Sequence, residues 1–249
     1  MKQIVRKSSK TLLLIHGFPQ ETTPDSPVFI FFNERKYKIY TPRLFSSDKE
    51  FNLENSLQII RDSLGKNKPD VILGFSLGGL LLPHIASDFP DSTLIFISTG
   101  TRFNPDNAFY KLGISVLRTP IFIPAIGLAK AMPDFFLTAL YKFFNPCNKG
   151  EDLELYERDK KANFAVMRAI PAEKQRQIFD FISRIDNTMI LKTIRNKTII
   201  LAGENDALMT INENRRLNKL IPGSRLICVK NSHFSVIERR RLKLLDKYF

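Results

Sequence analysis

One ten-residue stretch constrains this chain more than any other: residues 70–79, which read Asp-Val-Ile-Leu-Gly-Phe-Ser-Leu-Gly-Gly. An apolar, strand-favouring run leads directly into Gly-x-Ser-x-Gly, and the apolar residues 80–82 that follow suit a helix. The pattern predicts a strand, a sharp turn and a helix, with Ser76 at the apex. Because such a turn is crowded, only residues without a Cβ atom fit beside the serine, at Gly74 and Gly78.

This turn would lift the Ser76 hydroxyl above the edge of a sheet and aim the start of a helix at it. A helix N-terminus favours developing negative charge, so the serine is a candidate nucleophile. On its own, however, Gly-x-Ser-x-Gly also fits an ordinary glycine-rich loop. Motifs elsewhere in the chain are needed to distinguish between these two interpretations.

The bulk properties indicate one large domain, or one domain with an insertion. The chain has 249 residues, of which 43% are hydrophobic, enough for a sizeable core. Cys147 and Cys228 lack metal-type spacing and suggest reduced thiols, which favours a cytoplasmic location. Only three histidines are present, so we expect neither a metal nor a cofactor. The apolar run at residues 12–15 is too short for a signal-peptide core.

The net charge of +13 is the one unusual bulk property. It suits an acidic partner, an anionic membrane surface or nucleic acid, but it also suits simple solvation of a lysine- and arginine-rich surface. Because no basic-aromatic repeat or nucleic-acid motif occurs, we expect no nucleic acid partner. We favour the solvated surface over any specific acidic partner.

Strand and helix signals alternate at both ends of the chain. Strands are predicted at 11–15, 38–40, 70–73, 92–98, 197–202 and 224–229, with helices starting near Ser26, Asn52 and Leu77, over 211–221 and over 237–249. This alternation predicts an α/β fold, with a mostly parallel sheet of about six strands and helices on both faces.

Residues 101–190 interrupt the alternation, because they contain no convincing strand. Their helical stretches are broken by Pro105, Pro120, Pro124, Pro133, Pro146 and Pro171. We predict an all-helical insertion on a core formed by residues 1–100 and 191–249. Its first half is apolar and aromatic, but Arg118, Lys130 and Asp134 interrupt any window long enough to span a membrane.

Four chemistry-bearing positions each follow directly on an apolar strand run: His16, Ser76, Asp206 and His233. The carboxyl ends of parallel strands meet at one edge of a sheet, where open α/β sheets hold their sites. The sequence therefore predicts that these side chains lie together.

The motifs at 16–18 (His-Gly-Phe), 74–78 (Gly-Phe-Ser-Leu-Gly), 203–206 (Gly-Glu-Asn-Asp) and 232–234 (Ser-His-Phe) occur in a characteristic order. In these motifs the chain resembles the α/β-hydrolase superfamily, specifically its small, cap-bearing serine esterase-like members. The resemblance covers nearly the whole chain and implies that the insertion is a helical cap over the site.

The resemblance implies a catalytic triad of Ser76, Asp206 and His233. A serine hydroxyl is a poor nucleophile at neutral pH, so His233 would take its proton and later return it to the leaving group. Asp206 would hold the other ring nitrogen, fixing the tautomer and stabilising the imidazolium.

The family pattern also assigns the oxyanion hole to the backbone N–H groups of Phe18 and Leu77. It assigns support of the oxyanion loop and of the serine turn to four residues: His16, Gly17, Gly74 and Gly78.

Each assignment has a competing interpretation. Asp206 could instead cap the following helix, and Glu204 is a rival acid two residues back. Some family members place the acid after the preceding strand, but residues 99–104 contain no carboxylate. His233 could be structural, and His84 is interpreted as a packing or surface histidine.

The chain departs from the family at two places near the site. The loop at residues 42–47 lacks the acidic, glycine-rich turn that many members carry, so its shape is expected to differ. Ser232 stands where many members have a glycine before the histidine. Neither change removes a reacting group.

The aromatic half of the insertion favours an apolar substrate, and the main hypothesis is hydrolysis of a carboxylic ester with an apolar acyl or alkyl group. Thioester cleavage with an acidic acyl-carrier partner, acyl transfer, and amide or carbon–carbon bond hydrolysis remain open. A non-catalytic small-molecule-binding protein on the same scaffold is the alternative from another class. Peripheral membrane contact would require an exposed apolar patch on the cap, flanked by basic residues.

Overall fold

A computed structural model describes residues 10–19, 21–105, 119, 121–144, 146–147 and 150–248. Its sheet contains β1 (Thr11–Ile15), β2 (Lys38–Tyr40), β3 (Val71–Phe75), β4 (Thr93–Ile97), β5 (Thr198–Gly203) and β6 (Arg225–Val229). All five strand pairings are parallel, and the spatial order is β2-β1-β3-β4-β5-β6. The six-stranded parallel sheet confirms the predicted α/β fold.

Helices connect and cover these strands. They are α1 (Pro27–Glu34), α2 (Leu53–Leu64), α3 (Leu77–Leu81), α4 (Phe122–Ala131), α5 (Asp134–Phe144), α6 (Leu153–Ala169), α7 (Ala172–Arg184), α8 (Thr188–Leu191), α9 (Ile211–Leu220) and α10 (Arg239–Leu242). Short 3₁₀ helices occupy Leu82–His84, Ala86–Asp88, Ser235–Ile237 and Lys243–Tyr248.

The sheet has two buried faces, and alternate strand residues point to opposite ones. Leu13 and Ile15 of β1 pack with residues of α2, α3, α8 and α9. Leu12 and Leu14 pack on the other face with residues of α1 and α10. Because both faces are covered, each central strand reads as a continuous apolar run rather than an alternating one.

The strand order reverses between β1 and β3. From β1 the chain passes through α1 to β2 on one side, and then returns through α2 to β3 on the other side of β1. Connections that diverge in this way leave a crevice at the carboxyl ends of the two strands. His16 and Ser76 follow these two strand ends, so the topology brings them to one crevice.

Local capping signals set the helix boundaries as predicted. Ser26 Oγ accepts the N–H of Phe29 at 3.3 Å, and Pro27 is the first residue of α1. Asn52 Oδ1 accepts the N–H of Asn55 at 2.9 Å and caps the start of α2, and Gly65, with φ of 57°, follows its last residue.

Between β4 and β5, the described residues outside helices form only turns, loops and one isolated bridge. Pro133 separates α4 from α5 and Pro171 separates α6 from α7, as predicted, whereas Pro124 lies inside the first turn of α4. A proline is tolerated there because that N–H has no intrahelical partner.

The two ends of the insertion meet at the edge of the core. Arg102 and Asp186 form an antiparallel bridge, and the N–H of Asn187 donates to the carbonyl of Thr101 at 2.9 Å. Residues near the two ends of the predicted insertion, 101–190, therefore lie next to each other, and the division of the chain into core and insertion stays a prediction.

Apolar side chains of the insertion reach the surface. Leu128 of α4 and Phe135 and Phe136 of α5 are each more than half exposed. Among the described helices, none is long and apolar enough by itself to cross a membrane; α4 and α5 together meet that criterion, but they are bent by 114°.

The prediction of one continuous basic helix over 237–249 is wrong. Glu238 is extended, with ψ of 140°, and α10 covers only Arg239–Leu242 before a 3₁₀ helix begins. Leu242 and Leu245 are both fully buried against the sheet. Tyr248 packs on the same cluster, so the apolar positions repeat at every third residue, a period that stays on one face of a 3₁₀ helix but drifts around an α-helix.

Gly78→Ala is expected to destabilise the fold strongly. A Cβ atom at Gly78 would lie 2.1 Å from the carbonyl oxygen of Ile15, a backbone atom that cannot move without disturbing β1. We expect a loss of about 3 kcal/mol in the free energy of unfolding, measured by urea titration. Gly127→Ala in α4 is the matched control, because a Cβ atom there meets nothing within 4 Å. A small stability loss for Gly78→Ala would contradict the predicted crowding.

Candidate active site

The turn after β3 has the strained geometry that the sequence predicts. Ser76 has φ of 51° and ψ of −114°, and α3 begins at the next residue. Gly74 permits the turn, because a Cβ atom there would lie 2.6 Å from the carbonyl oxygen of Gly78. The Ser76 carbonyl accepts the Thr99 hydroxyl at 2.9 Å, which ties the turn to the end of β4.

Ser76, His233 and Asp206 form one chain of hydrogen bonds. His233 Nδ1 lies 2.7 Å from Asp206 Oδ2, and His233 Nε2 lies 3.0 Å from Ser76 Oγ. A carboxylate only accepts, so Nδ1 carries the proton and Nε2 is left to accept the Ser76 hydroxyl. All three residues are buried, none more than 9% exposed. The arrangement can move a proton from the serine to the imidazole.

Two strand-end loops bring Asp206 to His233. Beyond β5 and β6, the N–H of Glu204 donates to the Val229 carbonyl at 2.8 Å, and the N–H of Asn205 donates to the Asn231 carbonyl at 3.1 Å. Gly203 is needed at this approach, since a Cβ atom would lie 2.4 Å from the Asn231 oxygen. The strand pairing therefore continues into the site loops and fixes their separation.

The structure distinguishes between the two candidate acids. Asp206 Oδ2 faces His233, while its Oδ1 accepts the N–H groups of Leu208 and Met209 at 2.9 and 2.8 Å. Glu204 is exposed, and no hydrogen bond joins it to His233. The following helix is capped by Thr210, whose hydroxyl accepts from Glu213. Asp206 is thus not the cap of α9.

His84 lies away from this chain of hydrogen bonds. Its Nε2 pairs with Asn187 Oδ1 at 2.8 Å, and the Asn187 amide donates to the Leu80 carbonyl at 2.9 Å. Burial lowers the pKa of His84 below its ordinary value. This histidine, in the 3₁₀ helix after α3, thus bonds to Asn187, which directly precedes α8 and is itself bonded to α3.

The loop after β1 runs alongside the serine turn. A Cβ atom at Gly17 would lie 2.9 Å from the Phe75 ring and 3.1 Å from Ser76 Cβ, so only glycine allows this approach. Within the described ranges, the backbone N–H groups of Phe18 and Leu77 donate to no protein acceptor. Two free donors beside the serine are what an oxyanion hole requires.

His16 holds this loop rather than facing Ser76. Its Nδ1–H donates to the Gly17 carbonyl at 2.8 Å, and its Nε2 accepts the N–H of Leu44 at 3.4 Å. Burial lowers the pKa of His16, because the charged imidazolium would lose its hydration. A neutral His16 therefore joins the loop after β1 to the loop after β2.

Glu21 holds the loop after β2, a role that no pattern in the sequence indicates. Its Oε1 accepts the N–H groups of Phe45 and Ser46 at 2.9 and 3.1 Å, and its Oε2 accepts the Ser46 hydroxyl at 2.9 Å. It thereby shapes the loop at residues 42–47, where the chain departs from the family pattern. An isolated glutamate in a loop gives no sequence signal for such a role.

The stability of the protein is expected to fall as pH drops below about 6.5, in part through His16. Because the folded state holds the pKa of His16 below its ordinary value of 6.5, the unfolded chain takes up the proton first. The loss is at most about 1.4 kcal/mol per pH unit for one group. Urea unfolding at several pH values should show a shallower decline for His16→Gln than for the wild type. Identical declines would contradict the prediction.

A sequence model of the alpha/beta hydrolase fold matches residues 10–240, which is most of the chain. The chain belongs to the alpha/beta hydrolase fold family. No match to the sequence was found among curated proteins.

Solved structures that are similar to this α/β-hydrolase include a bromoperoxidase from Bacillus anthracis, with 18% identity, a TM-score of 0.71 and coverage of 96% of this chain and 92% of the other. An esterase from Exiguobacterium antarcticum has 16% identity, a TM-score of 0.71 and coverage of 97% and 91%. An enol-lactonase from Burkholderia xenovorans LB400 has 16% identity, a TM-score of 0.68 and coverage of 97% and 90%. At these identities the likeness concerns the fold.

In this α/β-hydrolase, aromatic side chains join the insertion to the loop after β1. The Phe18 ring lies 5.5 Å from Phe45 and 5.1 Å from Phe179 of α7, and Phe179 lies 5.9 Å from Phe122 of α4. The insertion helices therefore contact the loop that carries one of the two free N–H donors.

A second aromatic group borders His233. Its imidazole lies 5.4 Å from the Phe75 ring and 4.9 Å from Phe234. Tyr141 of α5 stacks on Phe234 at 6.3 Å and meets Phe164 of α6 at 5.7 Å. Aromatic rings from the core and the insertion thus lie next to His233 and next to the loop after β1.

Among the described residues, no group of three or more His, Cys, Asp or Glu side chains could hold a metal ion. A serine hydroxyl that donates to a histidine held by a carboxylate is an arrangement in which the histidine can act as a base toward the serine.

Proposed function

We propose that this α/β-hydrolase is a serine hydrolase that cleaves a carboxylic ester with an apolar acyl or alkyl group. One observation carries the proposal: the continuous hydrogen-bond chain from Asp206 through His233 to Ser76, with distances of 2.7 and 3.0 Å. Family membership supports a hydrolase, and several of the similar structures are described as esterases.

The proposed reaction begins with attack of Ser76 Oγ on the ester carbonyl carbon. His233 Nε2 takes the serine proton as the new C–O bond forms, and Asp206 stabilises the resulting imidazolium. The carbonyl oxygen becomes an oxyanion, which the free N–H groups of Phe18 and Leu77 would stabilise; one such donor is typically worth about 3 kcal/mol.

The tetrahedral intermediate then collapses. The ester C–O bond breaks, the leaving alcohol takes the proton from Nε2, and the acyl group stays on Ser76 as an ester. A water molecule gives a proton to Nε2 and attacks this acyl-enzyme, and the imidazolium returns that proton to Ser76 as the acid leaves. The two half-reactions use the same residues in the same positions.

The aromatic groups around the site support an apolar substrate. Phe179 contacts both Phe18 and Phe122, and Phe75 and Phe234 both contact the His233 imidazole. Burying an apolar group among such rings contributes roughly 25 cal/mol per Å² of apolar surface. We therefore expect kcat/KM to rise with the length of an unbranched acyl chain.

Covalent labelling tests the proposal. A fluorophosphonate probe is incubated with the wild-type protein, and the adduct is located by peptide mass spectrometry. An adduct on Ser76 would support an activated serine, and a panel of p-nitrophenyl esters and matched thioesters would then rank substrates. If the folded protein gives no adduct and cleaves no member of the panel, the hydrolase proposal fails and a binding protein on this scaffold becomes the better account.

A further inference from the structure

A carboxylate from the insertion is bonded to the loop that carries His233. Glu151 lies between α5 and α6, and its Oε1 accepts the N–H of Ser232 at 2.7 Å and the hydroxyl of Ser235 at 2.6 Å. Its Oε2 accepts the hydroxyl of Ser232 at 3.2 Å. These bonds span more than eighty residues of sequence and end on the two sides of His233.

Residues 238–240, which follow the His233 loop, also bind the segment that contains Glu151. Glu238, which is 3% exposed, accepts the N–H of Asp152 at 3.1 Å and the Nε–H of Arg240 at 2.6 Å. Arg240 also donates to the carbonyl of Gly150. Glu151 and Gly150 accept hydrogen bonds from the segment at 232–240, and Glu238 of that segment accepts one from Asp152. Several hydrogen bonds therefore join residues 150–152 to residues 232–240.

The segment that carries Glu151 is itself anchored. Asp152 caps α6 by accepting the N–H of Leu155 at 3.0 Å, so Glu151 lies directly before a long helix. A carboxylate on such an anchored segment has fewer conformations to lose when it binds, which makes its hydrogen bonds more effective.

Ser232 is the residue through which this contact reaches the site. It is 3% exposed and directly precedes His233. Its N–H donates to Glu151 Oε1 at 2.7 Å and also to Ser235 Oγ at 3.1 Å, and Glu151 accepts the Ser235 hydroxyl as well. Hydrogen bonds to a charged acceptor are stronger than those to a neutral one, so the carboxylate is the stronger partner of this N–H. The direction of the Ser232 amide therefore fixes the backbone from which the imidazole extends. A glycine here, as in many members of the family, could not offer the hydroxyl that binds Oε2.

We propose that Glu151 is a positioning residue that holds the His233 loop in place and thereby couples the insertion to the chain of hydrogen bonds at Ser76. The inference concerns the site of the proposed function and rests on it for its kinetic consequence. Glu151 does not touch the reacting atoms; it acts through Ser232 and Ser235.

Three variants test this role. Glu151→Ala removes the three hydrogen bonds to Ser232 and Ser235. Glu151→Gln keeps an acceptor for the Ser232 N–H and the Ser235 hydroxyl but removes the charge. Glu154→Ala, three residues along, is the matched control, because it removes an exposed carboxylate at the same end of α6.

The first measurement is the kinetics of ester hydrolysis and of fluorophosphonate labelling. We expect Glu151→Ala to lower kcat and the labelling rate by about 10- to 100-fold, the range typical of a misplaced catalytic group, with little change in KM. Glu151→Gln should recover most of that loss, and Glu154→Ala should match the wild type. Equal rates for Glu151→Ala and the wild type would overturn the proposal.

The second measurement does not depend on activity. Hydrogen–deuterium exchange of peptides that cover residues 230–237 should be faster in Glu151→Ala and close to wild type in Glu151→Gln. If no variant is active but the exchange pattern appears, the proposed function fails while the positioning contact stands. If exchange is unchanged in Glu151→Ala, the contact does not hold the loop and the inference fails, whatever the kinetics show.

Discussion

Replacing Ser76 with alanine is expected to abolish fluorophosphonate labelling and to lower kcat for ester hydrolysis by about 10⁶-fold. Among the described residues, His233 Nε2 forms a hydrogen bond only with the Ser76 hydroxyl, at 3.0 Å. No other described side chain is therefore placed to replace it. A loss of this size corresponds to about 8 kcal/mol of transition-state stabilisation. Steady-state kinetics with the best ester of the panel, together with mass spectrometry of the labelled protein, would measure it.

Ser98→Ala is the matched control for this experiment. Ser98 also follows a central strand, β4, also has a positive φ of 44°, and is fully buried. Its hydroxyl makes no hydrogen bond in the described part of the protein, so its loss should leave labelling and turnover close to wild type. A labelled Ser76→Ala protein, or a Ser98→Ala protein as inactive as Ser76→Ala, would contradict the assignment of Ser76 as the nucleophile.

The second large effect is expected from Asp206→Asn, with a loss of about 10⁴-fold in kcat. An amide at this position donates to His233 Nδ1, which forces the proton onto Nε2, the nitrogen that faces Ser76. The imidazole can then no longer accept the serine proton. The oxygen of the introduced amide can still accept the N–H groups of Leu208 and Met209, so we expect the fold to survive, as circular dichroism and thermal unfolding would show.

Glu204→Gln is the matched control for Asp206→Asn. Glu204 lies two residues before Asp206, carries the same charge and is exposed. Because its side chain does not reach His233, its neutralisation should change kcat by less than about twofold, on the scale typical of surface substitutions. If Glu204→Gln were the more damaging variant, the assignment of the acid would have to be reversed.

These expectations depend on an assembly of four segments that are far apart in the chain. His16, Ser76, Asp206 and His233 each follow a different parallel strand, and the sheet brings the four strand ends to one edge. The insertion then adds aromatic contacts to the Phe18 and Phe234 sides and a carboxylate contact at Ser232. Through these contacts, rearrangement of the insertion would change the surroundings of the site.

The sequence by itself determined the strands of the sheet, several helix starts and the turn at Ser76, in their order along the chain. The apolar runs marked the strands, Ser26 and Asn52 marked helix starts, and the glycines at 74 and 78 marked a turn with room for no other residue. These signals are local, because they depend on backbone geometry and on burial within one segment. The common edge of a parallel sheet then predicted that the four site positions meet, and the structure brings Ser76, His233 and Asp206 into hydrogen-bond contact.

Only the tertiary structure decided the contacts between distant segments. The roles of Glu21 and Glu151 depend on loops that close onto them from elsewhere in the chain, and neither residue stands in a pattern that predicts its partner. The C-terminal segment follows the same rule: its residues favour one α-helix, yet it forms α10 and then a 3₁₀ helix, with Leu242, Leu245 and Tyr248 packed against the sheet. Packing and side-chain hydrogen bonds depend on which surfaces meet, and that is fixed only when the chain is folded.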